Sequence, residues 1–183
     1  FAYITNLSSC QPAREWKLKH VLLSALFVAL LFGALDVRAE YRQESIDNDY
    51  QGEIQALAEE GKNLILFFHQ AGCPYCDKMR ARVHPSPTVV NYFDDKFVMM
   101  ESNIRGNLDI VMPDGVEGSE RDFAKKVRVR ATPVFIFYDQ DGSQALRTTG
   151  FLDSKRFMLA GKYVVEGVHK TKKSFFRYLQ EQN

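Results

Sequence analysis

The chain has 183 residues, of which 45% are hydrophobic and 26% are charged, as in a globular domain with an apolar core. A formal net charge of +1 provides no extended basic field, which argues against nucleic acid as a partner. The sequence contains no internal repeat and no low-complexity tract, so nothing indicates a repeat architecture.

The N-terminal part of the chain has the pattern of an export signal. The uncharged apolar run 21–35 follows Lys17 and Lys19 and comes before a Val-Arg-Ala segment that ends at Ala39. A basic start, a short apolar core and a V-x-A end are typical of a secretory signal peptide, with cleavage expected before Glu40. The run is shorter than the roughly 20 residues that a membrane span needs. An uncleaved membrane anchor stays open as the alternative.

These features divide the chain into three parts. We expect an N-terminal extension with the signal peptide over 1–39, a loose polar leader over 40–49, and one domain over 50–183. Residues 1–16 are expected to be the end of a longer or misassigned reading frame. Cys10 lies there and has no expected role.

Within the domain, helical and extended patterns alternate. The continuous apolar run 63–69 is typical of a strand that is covered on both faces. Ser119 and Asp122 resemble a capping box at a helix start, and the glycine-rich segment 105–118 before them is expected to be a long loop. In chain order we predict a helix over 52–60, a strand over 63–69, helices over 76–83 and 86–93, a strand over 96–104, a helix over 119–127, strands over 133–138 and 143–148, and helices over 153–167 and 171–181. This order predicts an α/β fold in which helices cover both faces of a mixed central sheet.

Two cysteines follow the first predicted strand directly, in the segment AGCPYC. Cys73 and Cys76 are the only cysteines of 40–183. A disulfide between them would close a ring of four residues and restrict the chain little, so the pair is better suited to chemistry than to stability. Between a strand and a helix, such a pair predicts a thioredoxin-like redox motif.

The two thiols are expected to have different roles. Cys73 would lie at a helix N-terminus, where unpaired amide groups and the helix dipole favour the thiolate. Pro74 fits the first turn of that helix because its missing N–H costs nothing there. Cys76 would lie one turn deeper. We therefore predict that Cys73 is the attacking thiol and Cys76 the resolving thiol.

Metal binding is the competing role for the cysteines. A structural zinc site takes four Cys or His ligands, and His69, His84 and His169 are not at finger spacing. A Cu(I) site needs only two thiolates. A copper carrier, or an adaptor that uses the dithiol only to hold a partner, therefore stays open, while no resident metal or cofactor is expected.

Several segments resemble the thioredoxin superfamily: LILFFHQAGCPYCDKMRARV, ATPVFIFYDQDG and TTGF. HPSPTVVNYF, NIRGNLDIVMPDG and YVVEGVHKTKKSFFRYLQ are similar to the SoxW-type periplasmic thioredoxins within it. The resemblance covers about 50–181 and implies that Cys73 and Cys76 are the redox pair. It also implies that the Thr132–Pro133 peptide bond is cis and faces the dithiol, where the Thr132 backbone would bind an extended substrate segment. Without the resemblance, Pro133 could be an ordinary proline at a strand start.

The resemblance also implies a function. Members of this group reduce disulfides in exported, periplasmic proteins and receive electrons from a membrane protein of the CcdA or DsbD type. We expect a monomer. Isomerases of this compartment usually carry a separate dimerisation domain, for which 40–183 leaves no room, and this argues against an isomerase. The Pro-Tyr dipeptide adds no positive charge between the sulfurs, which favours a reductase over a strong oxidant.

The sequence departs from the family pattern at one important position. Phe67 stands where thioredoxins usually have a buried acid that helps to deprotonate the resolving thiol. His69 lies on the same strand face and is a candidate substitute, although a partly exposed strand histidine is the alternative. The Pro74–Tyr75 dipeptide occurs in glutaredoxins. After the terminal hairpin, however, glutaredoxins normally have a Gly-Gly pair that helps to hold glutathione, and this chain has Thr149–Gly150 there. This difference argues against glutathione binding.

Other residues have weaker expectations. Pro74 and Tyr75 are expected to contact the partner, with a spacer role as the alternative for Tyr75. The basic run 169–173 is expected to be a solvated helix start rather than an anion site. Phe175, Phe176 and Leu179 are expected to lie in the core.

Overall fold

A computed structural model of the chain describes residues 41–182. The expected signal peptide, its cleavage site before Glu40 and Cys10 lie outside these residues. No helix in this range combines the length and the apolar character that crossing a bilayer requires.

The described chain alternates between helices and strands, as predicted. The helices are α1 (Tyr50–Glu59), α2 (Pro74–Lys78), α3 (Pro87–Phe93), α4 (Glu120–Lys126), α5 (Ser154–Val165) and α6 (Phe175–Glu181). The strands are β1 (Asn63–His69), β2 (Phe97–Asn103), β3 (Asp109–Val111), β4 (Glu117–Ser119), β5 (Val134–Tyr138) and β6 (Gln144–Thr149). A π-helical turn, Met79–Val83, continues α2, and a 3₁₀ turn, Val168–Lys170, precedes α6.

The central sheet has the strand order β2-β1-β5-β6. β1 and β2 are parallel, whereas β5 is antiparallel to both β1 and β6. The predicted mixed α/β fold is therefore confirmed.

Helices cover both faces of this sheet, and β1 shows why its sequence is a continuous apolar run. Leu64, Leu66 and Phe68 pack in the core cluster that includes α1 and α4. Ile65 and Phe67 point the other way, into the cluster that includes α2, α3 and α5. Since alternate strand residues face opposite sides, burial of both faces requires apolar side chains at successive positions.

The predicted loop 105–118 is wrong in part, because it contains a small hairpin. β3 and β4 pair in antiparallel fashion, with Ile110 opposite Gly118. A side-chain carbon at Gly118 would lie 2.9 Å from Cε of Met112, so the glycine that suggested a loop instead provides space for a buried methionine. Strands of three residues are too short to show the alternation by which strands are predicted.

The prediction of a loose leader is wrong for its first residues. The amide of Met99 donates to the carbonyl of Tyr41 at 2.6 Å, and the amide of Gln43 donates to the carbonyl of Met99 at 3.0 Å. The Tyr41 ring is buried 5.3 Å from the ring of Phe93. The buried Tyr41 ring and the backbone bonds to the outer edge of β2 thus hold residues 41–43 in place, although the composition of this segment is otherwise polar.

Two predictions about the C-terminal segment are also wrong. Phe176 is 70% exposed, because α6 begins at Phe175 and turns this ring outward, while Phe175 and Leu179 pack against the core. The predicted helix start at the basic run is instead the 3₁₀ turn.

The first residues of that basic run contact a carboxylate. His169 Nε2 and Lys170 Nζ lie 3.2 and 2.7 Å from Oδ2 of Asp139. Burial opposes ionisation of Asp139, but hydrogen bonds from Lys170, from the Gln140 amide and from His169 outweigh it and hold the pKa at about 2. The run therefore ties the C-terminal helices to the end of β5.

Candidate active site

The turn after β1 positions the two cysteines. Gly72 has a φ of +70°, a left-handed conformation that glycine adopts without strain. Cys73 follows as the N-cap of α2, with Pro74 at the start of the helix. The sulfurs of Cys73 and Cys76 are joined in a disulfide, and their Cα atoms are 5.3 Å apart.

The two sulfurs are in different environments. Cys73 is 5% exposed, whereas Cys76 is fully buried. The amide of Cys76 donates to Sγ of Cys73 at 3.2 Å, a contact that stabilises negative charge on this sulfur when the bond is reduced. Of the two cysteines, Cys73 is the one that combines some solvent access with an amide donor on its sulfur.

The Thr132–Pro133 segment lies at the same end of the sheet as the dithiol. Its peptide bond is cis. Phe68, near the end of β1, pairs with Val134 at the start of β5. The turn with the cysteines follows the end of β1, and the cis-proline segment precedes the start of β5. Both therefore lie at the same end of the sheet. The amide of Gly150 donates to the carbonyl of Pro133 at 2.8 Å and brings the end of β6 to this edge as well.

Phe67 is buried in an aromatic stack. Its ring lies parallel to that of Phe135, with centroids 4.8 Å apart. The guanidinium carbon of Arg80 lies 5.1 Å from the centroid of the Phe67 ring, within the range of a cation–π contact. The position where the family resemblance implies an acid is therefore occupied by an apolar ring with a cation beside it.

His69 belongs to a charged network next to this ring. Its Nε2 lies 3.5 Å from Oε2 of Glu101. Arg80 binds the same carboxylate, with Nε 3.0 Å from Oε1, and so ties the π-helical turn that continues α2 to β2. Burial lowers the pKa of His69, and the negative charge of Glu101 opposes that effect only in part. Burial thus disfavours the charged form of His69, and its partner in the network is Glu101.

A second histidine is buried close to the dithiol helix. His84 is fully buried, and both of its ring nitrogens lack a hydrogen-bond partner. The rings of Phe67 and Phe157 surround it, with centroids 5.3 and 5.6 Å away. Burial lowers the pKa of His84 to about 3. Sequence reasoning missed this burial, because the nearby residues Arg82 and Ser86 are polar and suggest an exposed position.

The remaining predicted contact residues are on the surface. Pro74 and Tyr75 are exposed, and Thr132 is half-buried. Within residues 41–182 no three His, Cys, Asp or Glu side chains are grouped so that they could hold a metal ion.

Comparisons with known proteins agree with this architecture. A thioredoxin-fold protein from Helicobacter pylori has 17% sequence identity and a TM-score of 0.55, over 70% of this chain and 91% of that one. A putative disulphide-isomerase from Bacteroides thetaiotaomicron has 19% identity and a TM-score of 0.53, over 72% of this chain and 93% of that one. No curated protein matches the sequence.

The family model for the thioredoxin-like domain matches residues 50–164. This match spans both cysteines, the cis-proline segment and all six described strands. The chain therefore belongs to the thioredoxin-like domain family.

Proposed function

We propose that the protein is an exported thiol–disulfide oxidoreductase that reduces disulfides in periplasmic partner proteins. The observation that carries this proposal is the asymmetry of the pair at the start of α2, where Cys73 keeps 5% of its surface exposed and Cys76 keeps none. A nucleophile must reach its target, while a resolving thiol needs only to reach the first sulfur. The fold by itself does not distinguish this activity from others.

The reaction proceeds by two exchanges of sulfur–sulfur bonds. The thiolate of Cys73 attacks one sulfur of the partner's disulfide, whose S–S bond breaks, and the other partner sulfur leaves and takes up a proton. Cys76 then loses its proton to water and attacks Sγ of Cys73, which releases the second partner thiol. The partner gains two electrons and two protons, and the protein is left with the Cys73–Cys76 disulfide.

Regeneration of the dithiol requires a reductant. We propose that a membrane dithiol protein of the CcdA or DsbD type supplies the two electrons by the reverse exchange. The protein would then be a SoxW-type periplasmic thioredoxin that acts as a monomer. The expected signal peptide and the SoxW-like segments support this assignment.

The partner segment would bind across the edge of the sheet that carries the dithiol. Thr132 would offer its backbone to an extended chain beside Pro133, in the manner of an added strand. Pro74 and Tyr75, which are both exposed, would contact the residues that flank the partner's cysteine.

Reduction of insulin in the presence of dithiothreitol tests the proposal. We expect the wild-type protein to accelerate the loss of insulin disulfides and the Cys73→Ser variant to give only the background rate, because serine cannot form the mixed disulfide. The conservative substitution changes one atom at a surface-proximal N-cap, and serine is itself a good N-cap, so the variant is expected to fold.

Equal rates for the wild type and Cys73→Ser would contradict the proposal. Stoichiometric Cu(I) binding that is lost in Cys73→Ser, without insulin reduction by the wild type, would instead identify a copper carrier.

A further inference from the structure

Two aromatic rings and a lysine form a surface cluster beside the dithiol. Tyr75 is 59% exposed, and its ring centroid lies 6.4 Å from that of Phe151. Lys78 Nζ lies 4.3 Å from the centroid of the Phe151 ring, close enough for a cation–π contact. We call Tyr75, Lys78 and Phe151 the aromatic–lysine patch.

The fold fixes this patch next to the reacting sulfur. Tyr75 lies between the two cysteines in α2, and Lys78 is the last residue of the same helix. Phe151 follows Gly150, whose amide is hydrogen-bonded to the carbonyl of Pro133. A polypeptide that places its disulfide on Cys73 and runs past Pro133 would therefore pass the patch with the residues next to its cysteine.

The charge of the patch is positive. Asp77, the acidic neighbour of Lys78, has its carboxylate directed to Arg80, with Oδ1 and Nη1 3.4 Å apart. Arg80 in turn binds Glu101. Both carboxylates are thus bound by Arg80, whereas the ammonium of Lys78 lies over the Phe151 ring. The patch offers one cation above two apolar ring faces.

We propose that the aromatic–lysine patch selects partners that have an acidic side chain next to the reacting cysteine. The carboxylate would pair with Lys78, and the apolar stem of the same residue would pack on Tyr75 and Phe151. This inference rests on the proposed reductase activity and adds the chemistry of the preferred partner. An exposed ion pair contributes up to about 1 kcal/mol, so the preference is about two- to five-fold in rate.

Three synthetic disulfide peptides test the preference. They are identical except for the residue that follows the attacked cysteine, which is Glu, Gln or Lys. For the wild type we expect kcat/KM to fall in the order Glu, Gln, Lys, with Glu about two- to five-fold above Lys. Added salt should reduce the ratio of kcat/KM between the Glu and Lys peptides, because it screens exposed charges.

Variants assign the preference to the patch. Lys78→Gln should give equal rates for the Glu and Lys peptides, and Lys78→Glu should reverse the order. Phe151→Ala should weaken the preference, because Lys78 loses the ring that holds it. Lys172→Glu is the matched control, because it makes the same change of charge as Lys78→Glu at another exposed position. Lys172 lies two residues from Lys170, which contacts Asp139 at the opposite end of β5 from the dithiol. This variant should keep the wild-type order of the three peptides.

The outcomes separate this inference from the proposed function. Equal rates for the three peptides, in a wild-type protein whose activity depends on Cys73, would overturn the inference and leave the reductase standing. A preference that survives in Lys78→Gln would also overturn it. If the wild type reduces neither the peptides nor insulin, the proposed function itself is contradicted, and this inference with it.

Discussion

The Cys76→Ser variant should accumulate a mixed disulfide with a partner through Cys73, whereas the wild-type protein should hold almost none at steady state. Cys76 is buried one helical turn beyond Cys73, so under the proposed reaction it would resolve the intermediate intramolecularly in the wild type. Serine in its place cannot attack a disulfide, so the mixed disulfide persists until an external thiol reduces it. Acid quenching followed by peptide mass mapping would measure the adduct and identify the cysteine that carries it.

The Cys73→Ser variant is the control for this experiment. It retains a thiol at Cys76, but that thiol is fully buried, so we expect little or no adduct. Comparable adduct levels on Cys76 in this variant would contradict the assignment of Cys73 as the attacking thiol. Captured from cells, the Cys76→Ser adduct would also identify the natural partner.

Acid should destabilise the folded protein strongly through His84. An unfolded histidine has a pKa of about 6.5, whereas burial lowers the pKa of His84 in the fold to about 3. Below pH 6.5 the unfolded chain therefore binds a proton that the folded chain excludes, and stability falls as the pH decreases towards 3. Between pH 7 and pH 4 this difference amounts to about 3 kcal/mol.

Urea unfolding of the wild type and of His84→Leu at pH 7 and pH 4 would measure the effect. Leucine leaves no unpaired ring nitrogen in the aromatic core, so the variant should lose little stability at pH 7 and be the more stable protein at pH 4. Carboxylates such as Asp139 titrate in both proteins. Subtracting the pH dependence of the unfolding free energy of His84→Leu from that of the wild type therefore leaves the contribution of His84. If the unfolding free energy of His84→Leu depended on pH as strongly as that of the wild type, the claim that His84 is buried in its uncharged form would be contradicted.

Local sequence patterns were enough for the fold and the dithiol. The apolar run of β1, the cysteine pair and the Thr-Pro dipeptide are each encoded within a few neighbouring residues. Burial of β1 on both faces required no knowledge of its partners, because a strand with one solvent-facing side would carry polar residues at alternate positions, and this run has none between Leu64 and Phe68.

Contacts between distant residues were not predictable in this way. Lys78 and Phe151 meet only because α2 and the end of β6 reach the same edge of the sheet. Glu101 in β2 binds Arg80 in the π-helical turn, 21 residues earlier in the chain. Local composition also misled where it conflicted with tertiary packing, as for Tyr41 in a polar leader and for His84 among polar neighbours, both of which are buried.

Phe67 has a chemical consequence for the dithiol. No carboxylate occupies this position, and the ring is stacked on Phe135, so in the proposed reaction the proton of Cys76 would pass to water. The acid that would favour deprotonation of the resolving thiol is missing, and the Pro-Tyr dipeptide adds no cation between the sulfurs. Neither feature stabilises the reduced form in the way that a strong oxidant requires.

The reduction potential of the Cys73–Cys76 couple tests the proposed direction of electron flow most directly. The protein would be equilibrated in glutathione or dithiothreitol redox buffers, quenched with an alkylating agent, and the fraction of reduced dithiol read by mass. We expect a two-electron couple with a potential of about −230 mV or lower, on the reducing side of glutaredoxins and towards thioredoxin. A potential near −120 mV, as in DsbA, would mean that Cys73 takes electrons from its partners and would contradict the reductase.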